Sequence, residues 1–467
     1  MDDFDDALIP PDPPDAPRVP EPEPPVVLTK PGHGIRRSDI DPDALRIMAR
    51  LQRMGFIAYL CGGAVRDLML GRTPKDFDVA TDARPGQIRK RFANVFVIGR
   101  RFRLAHVHFP GGKIVEVATF RREPERGDEA PPAPARETSG SSAAAAAADS
   151  IPAGGSTLPP DPQAMYGTPR EDAFRRDITI NALFYDPAID AVIDYVGGLE
   201  DMRCRRVRTI GDPGTRFDED PVRVWRVLRH AARLGFDIEP ATARAIHSHR
   251  HLLASAAGSR LYEEFNKDLA YETRPVFEAL RANGLLRHFL GKAGHAYETD
   301  PALFARISSL LDIEERARKG GFLLSIEEMY ALVFWPWLEP LFESGDEDMV
   351  PVLAAAFQNA GMKMTIPKVL RANAVQIVVL VDGLIRALRT GHPRAALLHR
   401  SHLPQATRLL FLIEKGRPPA EDETFETLFK AAHPEAPLEA PKKRRRRRRR
   451  RGKSGGDPGG TAAPQGD

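Results

Sequence analysis

Only two cysteines, Cys61 and Cys204, occur in the 467 residues. One sits in an apolar run and the other in an Arg-rich segment, which argues against both a disulfide framework and a zinc site. No apolar run reaches the roughly 18 residues that a membrane-spanning helix needs. The start, Met1-Asp2-Asp3-Phe4-Asp5-Asp6, is acidic where a secretory leader would be basic. A soluble, cytoplasmic protein with no membrane span is expected. No repeat of fixed length is evident either.

With 42% hydrophobic residues the chain can bury a sizeable core spread over two or three domains. Its formal charge of +4 is unevenly placed: Lys442, Lys443, Arg444 through Arg451 and Lys453 carry eleven positive charges, leaving −7 for the rest. A block of like charge this dense cannot fold, and its natural partner is a polyanion whose counterions it releases. RNA is favoured over a merely solubilising role.

Composition divides the chain into an acidic, Pro-rich N-terminus expected to be disordered (1–33), a first domain (34–210), a helical segment (211–275), a further helical part (276–435) and an Arg-rich disordered tail (436–467). Within the first domain, 127–162 collapses to Ala, Ser, Gly and Pro, including Ala143 to Ala148, and reads as a flexible loop. Asp41-Pro42 opens a helix that Gly55 closes. Strands are expected at 56–61, 76–80, 95–98, 104–109 and 114–120, with helices at 64–70 and 85–92. Pro110-Gly111-Gly112 makes the last two strands a hairpin. Apolar faces at helical period recur in 275–290, 302–316, 350–360, 367–388 and 395–415. The fold class is therefore α+β: a small mixed sheet backed by helices, then an all-α remainder.

The densest chemistry lies between Gly62 and Asp78. Gly62-Gly63 ends a short strand and lets the backbone turn into a helix whose free N–H groups suit phosphate oxygens. In Asp76-Phe77-Asp78 the two carboxylates project to one side if the segment is extended. They repel unless a hard cation sits between them, and Mg²⁺ held by one or two carboxylates plus substrate phosphates is the usual solution. Glu116 is the one carboxylate of an apolar strand; it either faces water or joins Asp76 and Asp78 at the metals. Arg176-Asp177 can meet a triphosphate and ribose hydroxyls, while the alternative makes Asp177 a helix cap. Asp220 and Arg223 stand three apart on a helix's first turn, an acceptor beside a donor fork that matches the edge of adenine or cytosine but not guanine or uracil. Arg226, Arg229 and Arg233 continue that side as a basic stripe for triphosphate or RNA.

Taken together, Gly62-Gly63-Ala64-Val65-Arg66-Asp67 with Asp76-x-Asp78, Arg176-Asp177 and Glu219-Asp220-x-x-Arg223 resemble the motifs of the class II tRNA nucleotidyltransferase and bacterial poly(A) polymerase family, over roughly residues 36–290. The resemblance implies a nucleotidyltransferase head, a helical neck that reads the base, and helical body and tail regions. It implies two Mg²⁺ ions, with Mn²⁺ as the alternative, held by Asp76 and Asp78. It also implies that Gly62, Gly63 and Arg66 hold triphosphate, that Asp177 reads ribose, and that Asp220 with Arg223 reads the base. Val97-Ile98-Gly99-Arg100-Arg101-Phe102-Arg103-Leu104-Ala105-His106-Val107 looks like the segment that marks the poly(A) polymerases. Arg100, Arg101 and Arg103 then grip RNA beside the site, as Lys442, Lys443 and Arg444 to Arg451 do from the tail. The implied reaction is untemplated addition of AMP from ATP to RNA 3′ ends, with RNA-degradation proteins as partners. CCA addition to tRNA is the rival, and a non-catalytic RNA-binding protein on the same fold is the reading from another class. His106 is read as structural rather than catalytic.

Overall fold

The computed structural model describes residues 23–99, 103–122, 165–344, 348–393 and 396–436. The expectations for Arg100, Arg101, the loop 127–162 and the basic run from Lys442 lie outside these residues.

Eight strands form one mixed sheet: β1 (Val26–Thr29), β2 (Ala58–Cys61), β3 (Val79–Thr81), β4 (Val95–Ile98), β5 (Leu104–His108), β6 (Ile114–Thr119), β7 (Phe184–Asp186) and β8 (Ala191–Asp194), in the order β1-β8-β7-β2-β3-β6-β5-β4. Neighbours are antiparallel except β3 and β6, whose parallel register sets Val79 beside Val117. Strand alternation is clear in β6, where Val115, Val117 and Thr119 are buried while Ile114 and Glu116 face out. Helix α1 (Pro42–Arg53) starts as its sequence dictates: the Asp41 carboxylate accepts from the N–H groups of Asp43 and Ala44 at 2.8 and 3.2 Å. It buries Ala44, Ile47, Met48 and Leu51. Between the sheet and the segment before β7, Cys61, Ala80, Phe120, Ala173, Phe184 and Ile210 pack into one apolar cluster. Phe120 and Phe184 meet edge to face at 5.9 Å there.

Several boundaries differ from the sequence expectations. The segment 26–29, placed within a disordered terminus, is a strand, because β8 supplies a complete ladder for it. The strand expected at 56–61 starts at Ala58, since the Ile57 N–H is taken by the Asp82 carboxylate at 2.8 Å. The strand expected at 76–80 starts at Val79, so Asp76 and Asp78 lie on the approach to it, where poor strand formers belong. Strands β7 and β8 were not expected at all.

Beyond the sheet come α2 (Gly63–Met69), α3 (Pro85–Arg91), α4 (Pro169–Phe174), α5 (Gly198–Arg203), α6 (Pro213–Glu219), α7 (Val222–Leu234), α8 (Pro240–His249), α9 (Gly258–Leu269) and α10 (Thr273–Ala282). A short parallel pair, Arg206–Val207 with Asp237–Ile238, ties the end of α7 to the segment after α5. Among the described residues, those up to Phe304 together with Ala360–Ile366 make one compact unit and the rest another. The body expected to begin at residue 276 thus has its first helices in the same unit as the sheet. The helix expected over 275–290 is broken in two by Gly284, whose φ is +68°. In the second unit, the period over 367–388 corresponds to the helix Lys368–Thr390. The helix Ile326–Leu338 is apolar almost all round and buries Met329 to Pro336 without a break, which is why no amphipathic period revealed it.

Candidate active site

Gly62 turns the chain between β2 and α2 with φ +74° and ψ −135°. Its N–H donates to the Leu183 carbonyl at 3.1 Å, and a Cβ there would stand 3.0 Å from Nη1 of Arg176. Glycine is therefore required both by the backbone angle and by the guanidinium behind it. Arg176 donates to Asp172 Oδ2 from Nε and Nη2 at 3.1 and 2.9 Å, and to the Asn181 carbonyl from Nη1 at 3.0 Å. Its charge supports the turn from beneath. Arg66 is buried and flanks Gly63; it donates to Asp67 Oδ1 at 2.9 Å and to Asn181 Oδ1 at 2.5 Å.

Asp76 and Asp78 follow a loop latched at two points. Arg72 Nη1 donates to the Arg233 carbonyl at 3.3 Å, and Lys75 Nζ lies 4.7 Å above the Tyr271 ring. The Asp78 carbonyl then accepts from the Cys61 N–H at 3.0 Å, which draws the residue to the tip of β2. One step before the first registered pair of β3 and β6, Asp78 stands level with Glu116. Burial, then the charges of Glu116 and Asp76, push the Asp78 carboxyl up to about 6, against the opposing pull of Arg176. Asp78 is thus within electrostatic reach of both Glu116 and Asp76. Among the described residues no three acidic, His or Cys side chains close around a single point. Such an open set suits a hard cation that completes its shell with substrate phosphate oxygens and water. His106 sits opposite Glu116 across the β5–β6 ladder, with Nε2 3.4 Å from Oε1.

The residues expected to read the base lie at the join of α6 and α7. The Asp220 carboxylate accepts from the Val222 N–H at 3.2 Å and takes both Nη groups of Arg260 at 2.8 Å each. Arg223 donates from Nε to Asp177 Oδ1 at 3.2 Å and from Nη1 to Glu219 Oε2 at 2.9 Å and the Arg216 carbonyl at 3.1 Å. Its Nη2 has no partner among the described residues. Arg226 Nη2 reaches the other Asp177 oxygen at 2.8 Å, so Asp177 is held by two guanidinium groups and caps no helix. Arg103 is exposed at the start of β5.

The expected basic stripe is cut short. Arg229 is buried and spends its guanidinium on Glu264 and Asp268, and Asp268 also accepts from Trp225 Nε1 at 2.6 Å. Arg233 donates to the carbonyls of Lys267 and Tyr271 at 2.7 and 3.0 Å. Both fasten α7 to the α9–α10 corner, because Glu264 and Asp268 of α9 and the carbonyls of Lys267 and Tyr271 claim their guanidinium groups.

Sequence reasoning missed Asn181, His230 and Arg260. His230 Nε2 lies 3.2 Å from Asn181 Nδ2 and its Nδ1 lies 3.4 Å from Arg66 Nη1, linking α7 to the glycine turn. Burial and then the charges of Arg66, Arg229, Arg226 and Arg233 hold its pKa well below the ordinary histidine range, so it is neutral. A signal for His230 existed in its position two turns after Arg223. Arg260 has none, being 40 residues from its partner.

Residues 58–208 match the poly A polymerase head domain, and residues 235–294 match the probable RNA and SrmB-binding site of polymerase A. Poly(A) polymerase I of Salmonella typhimurium is 38% identical over 320 residues, 67% of this chain and 64% of that protein. This chain's head and RNA-binding regions are those of the tRNA nucleotidyltransferase and poly(A) polymerase family. The chain spans less than two thirds of that polymerase's length. Within the family, a CCA-adding enzyme of Bacillus pumilus is 34% identical over 224 residues, 48% of each chain. A Bacillus stearothermophilus CCA-adding enzyme solved in complex with CTP is 25% identical, with TM-score 0.51 over 84% of this chain and 93% of its own. Family membership places the head and RNA-binding regions on the α+β architecture described above, and no described helix is long and apolar enough to cross a membrane.

Proposed function

We propose that the protein is a template-independent polyadenylating nucleotidyltransferase that transfers AMP from ATP to RNA 3′ ends. The observation that carries this reading is the raised Asp78 carboxyl beside Asp76 and Glu116, next to a glycine turn backed by Arg176. A buried carboxylate crowded by two others is destabilised until a cation neutralises the cluster. Asp76 and Asp78, with Glu116, would hold Mg²⁺ or Mn²⁺. Such ions, when bound, activate the primer 3′-hydroxyl and offset charge on departing pyrophosphate. Gly62, Gly63 and Arg66 bind the triphosphate, and Arg176 acts on it by holding the turn in shape. Asp177 receives the ribose while Arg223 and Arg226 fix its two oxygens.

The base is read at Asp220 and Arg223. Asp220 keeps lone-pair capacity beyond its three donors, and Arg223 keeps Nη2, which together offer an acceptor and a donor to the edge of adenine. Cytosine presents the same order, so this pair does not separate the two. The 38% identity to a poly(A) polymerase I favours adenine. Promoting RNA turnover, with RNA-degradation proteins as partners, follows from the same reading. The second reading, CCA addition, is favoured by the likeness to the Bacillus stearothermophilus enzyme over 84% of the chain.

Purified protein given an oligo(A) primer, Mg²⁺ and each nucleotide separately tests the choice. A long ladder with ATP alone is expected; a stop after a few additions, on tRNA only and with CTP required, rejects polyadenylation.

A further inference from the structure

The sheet face that carries Glu116 continues away from the carboxylates as a surface that is exposed among the described residues. Register sets Glu116 opposite His106, and His106 opposite Phe96, so one row crosses β6, β5 and β4. The next row toward the hairpin pairs Ile114 with His108, and the row on the other side pairs Leu104 with Ile98. Phe96 is 58% exposed, Ile98 50% and Ile114 45%. Phe96 and His108 meet at 4.8 Å with their planes 70° apart, and His106 lies 6.5 Å from His108. The alternate residues Val107, Val115, Ala105 and Val117 are buried on the other face, where α3 packs with Ile88. Apolar and ring side chains are therefore displayed on the outward face although β4 and β5 could have placed polar residues there.

We infer that this face of β4, β5 and β6 is the track of the RNA primer, with Phe96 and His108 as the platform on which bases upstream of the 3′ end stack. The inference rests on the polyadenylating reading and adds to it where the RNA runs. Four observations select a nucleic acid strand as the occupant. The surface is continuous with the carboxylate row: Glu116, His106 and Phe96 occupy adjacent strands, and Asp78 stands level with Glu116 on the approach to β3. Three strand spacings make roughly 14 Å, about four stacked nucleotides, between the site where a 3′-hydroxyl must arrive and the Phe96 ring. Flat rings interleaved with aliphatic side chains accept any base face without reading its edge, which a growing homopolymer needs. Arg103, exposed and without an ion pair among the described residues, stands at the head of β5 to meet a phosphate.

The test uses the full chain and the double variant Phe96→Ala/His108→Ala, with Phe96→Tyr as the variant that keeps a stacking ring. Equilibrium binding of a fluorescent oligo(A) of about 15 nucleotides is measured by anisotropy without ATP, and initial rates are measured against primer and against ATP. The expected result is a rise of roughly fivefold or more in both primer Kd and primer KM for the double variant, an unchanged ATP KM, and near-normal values for Phe96→Tyr. Arg103→Ala should lower the salt dependence of binding, and the double variant should not. Unchanged primer Kd and KM in the double variant overturn the inference, as does a change confined to ATP KM. A wild-type protein that extends no primer with ATP overturns the polyadenylating reading instead, and the anisotropy comparison keeps the two failures apart.

Discussion

Arg260 closes a two-pronged ion pair on Asp220, Nη1 to Oδ1 and Nη2 to Oδ2, both at 2.8 Å. A planar fork of this kind fixes orientation as well as charge. The acceptor of the proposed base-reading pair is thus held by a residue of α9, while its donor, Arg223, is held by Asp177 and Glu219. Arg260→Ala should raise ATP KM by roughly tenfold, the usual worth of about 1.4 kcal/mol, and relax the choice between ATP and CTP. Arg260→Lys should recover little of either, because a single ammonium cannot reproduce the fork. Competition between labelled ATP and CTP reads the outcome, and unchanged selectivity in both variants assigns Arg260 to packing alone.

The raised Asp78 carboxyl has a signed pH consequence. Its folded value of about 6 lies above the ordinary 3.8, so the proton is held more tightly in the native state. The resulting stabilisation is complete below pH 4 and is lost as pH rises through 6. Metal-free Asp78→Asn should therefore exceed wild type in stability at pH 8 by about 1–2 kcal/mol, since a full shift of this size corresponds to about 3 kcal/mol before screening. Thermal melts at pH 4 and pH 8 check this, with the gain small at the lower pH and largest at the higher. The same variant should lose nearly all AMP incorporation.

Metal supply should act on the wild-type protein in the same direction. Mg²⁺ added at pH 8 should raise the melting temperature, and chelation should remove both the gain and the activity. Below pH 6 the gain should shrink, because the cation must then displace a proton from Asp78. A melting temperature indifferent to Mg²⁺ at pH 8 would count against the carboxylate cluster as the metal seat.

Gly62→Ala should be costly out of proportion to one methyl group. A left-handed backbone costs an alanine about 1–2 kcal/mol, and the new Cβ would press on Arg176 Nη1 at 3.0 Å. Incorporation should fall by more than tenfold while circular dichroism stays that of a folded protein.

Arg229→Met should lower stability by about 3 kcal/mol, because it removes the guanidinium that Glu264 and Asp268 share and leaves the buried acids only Lys267 and Arg233 as cations. Urea unfolding measures this. A triple change that also neutralises both acids should restore much of the loss, which distinguishes an unpaired charge from lost packing.

Much of the site was legible because its parts are local. Gly62-Gly63 and Asp76-x-Asp78 bracket one helix and one turn, so backbone rules bring the glycine turn, the proposed phosphate cradle, beside the acidic pair. Glu116 needed one further fact, the parallel pairing of β3 with β6, before it could be set level with Asp78. The basic stripe on α7 was misjudged for the opposite reason. Helical period states which residues share a face but not what covers it, and α9 with the corner at Tyr271 claims Arg229 and Arg233.

The linear order of residues by itself determined the α+β class, the glycine turn, the acidic pair and the family, since each depends on contacts between near neighbours or on motif spacing. Only the tertiary structure decided that Arg260 aims Asp220, that neutral His230 joins α7 to Arg66, and that Phe96 and His108 share an open face with Glu116. Those pairings close over tens to more than a hundred residues, and a one-dimensional pattern carries no term for which distant side chain meets which until strand register and helix packing are set.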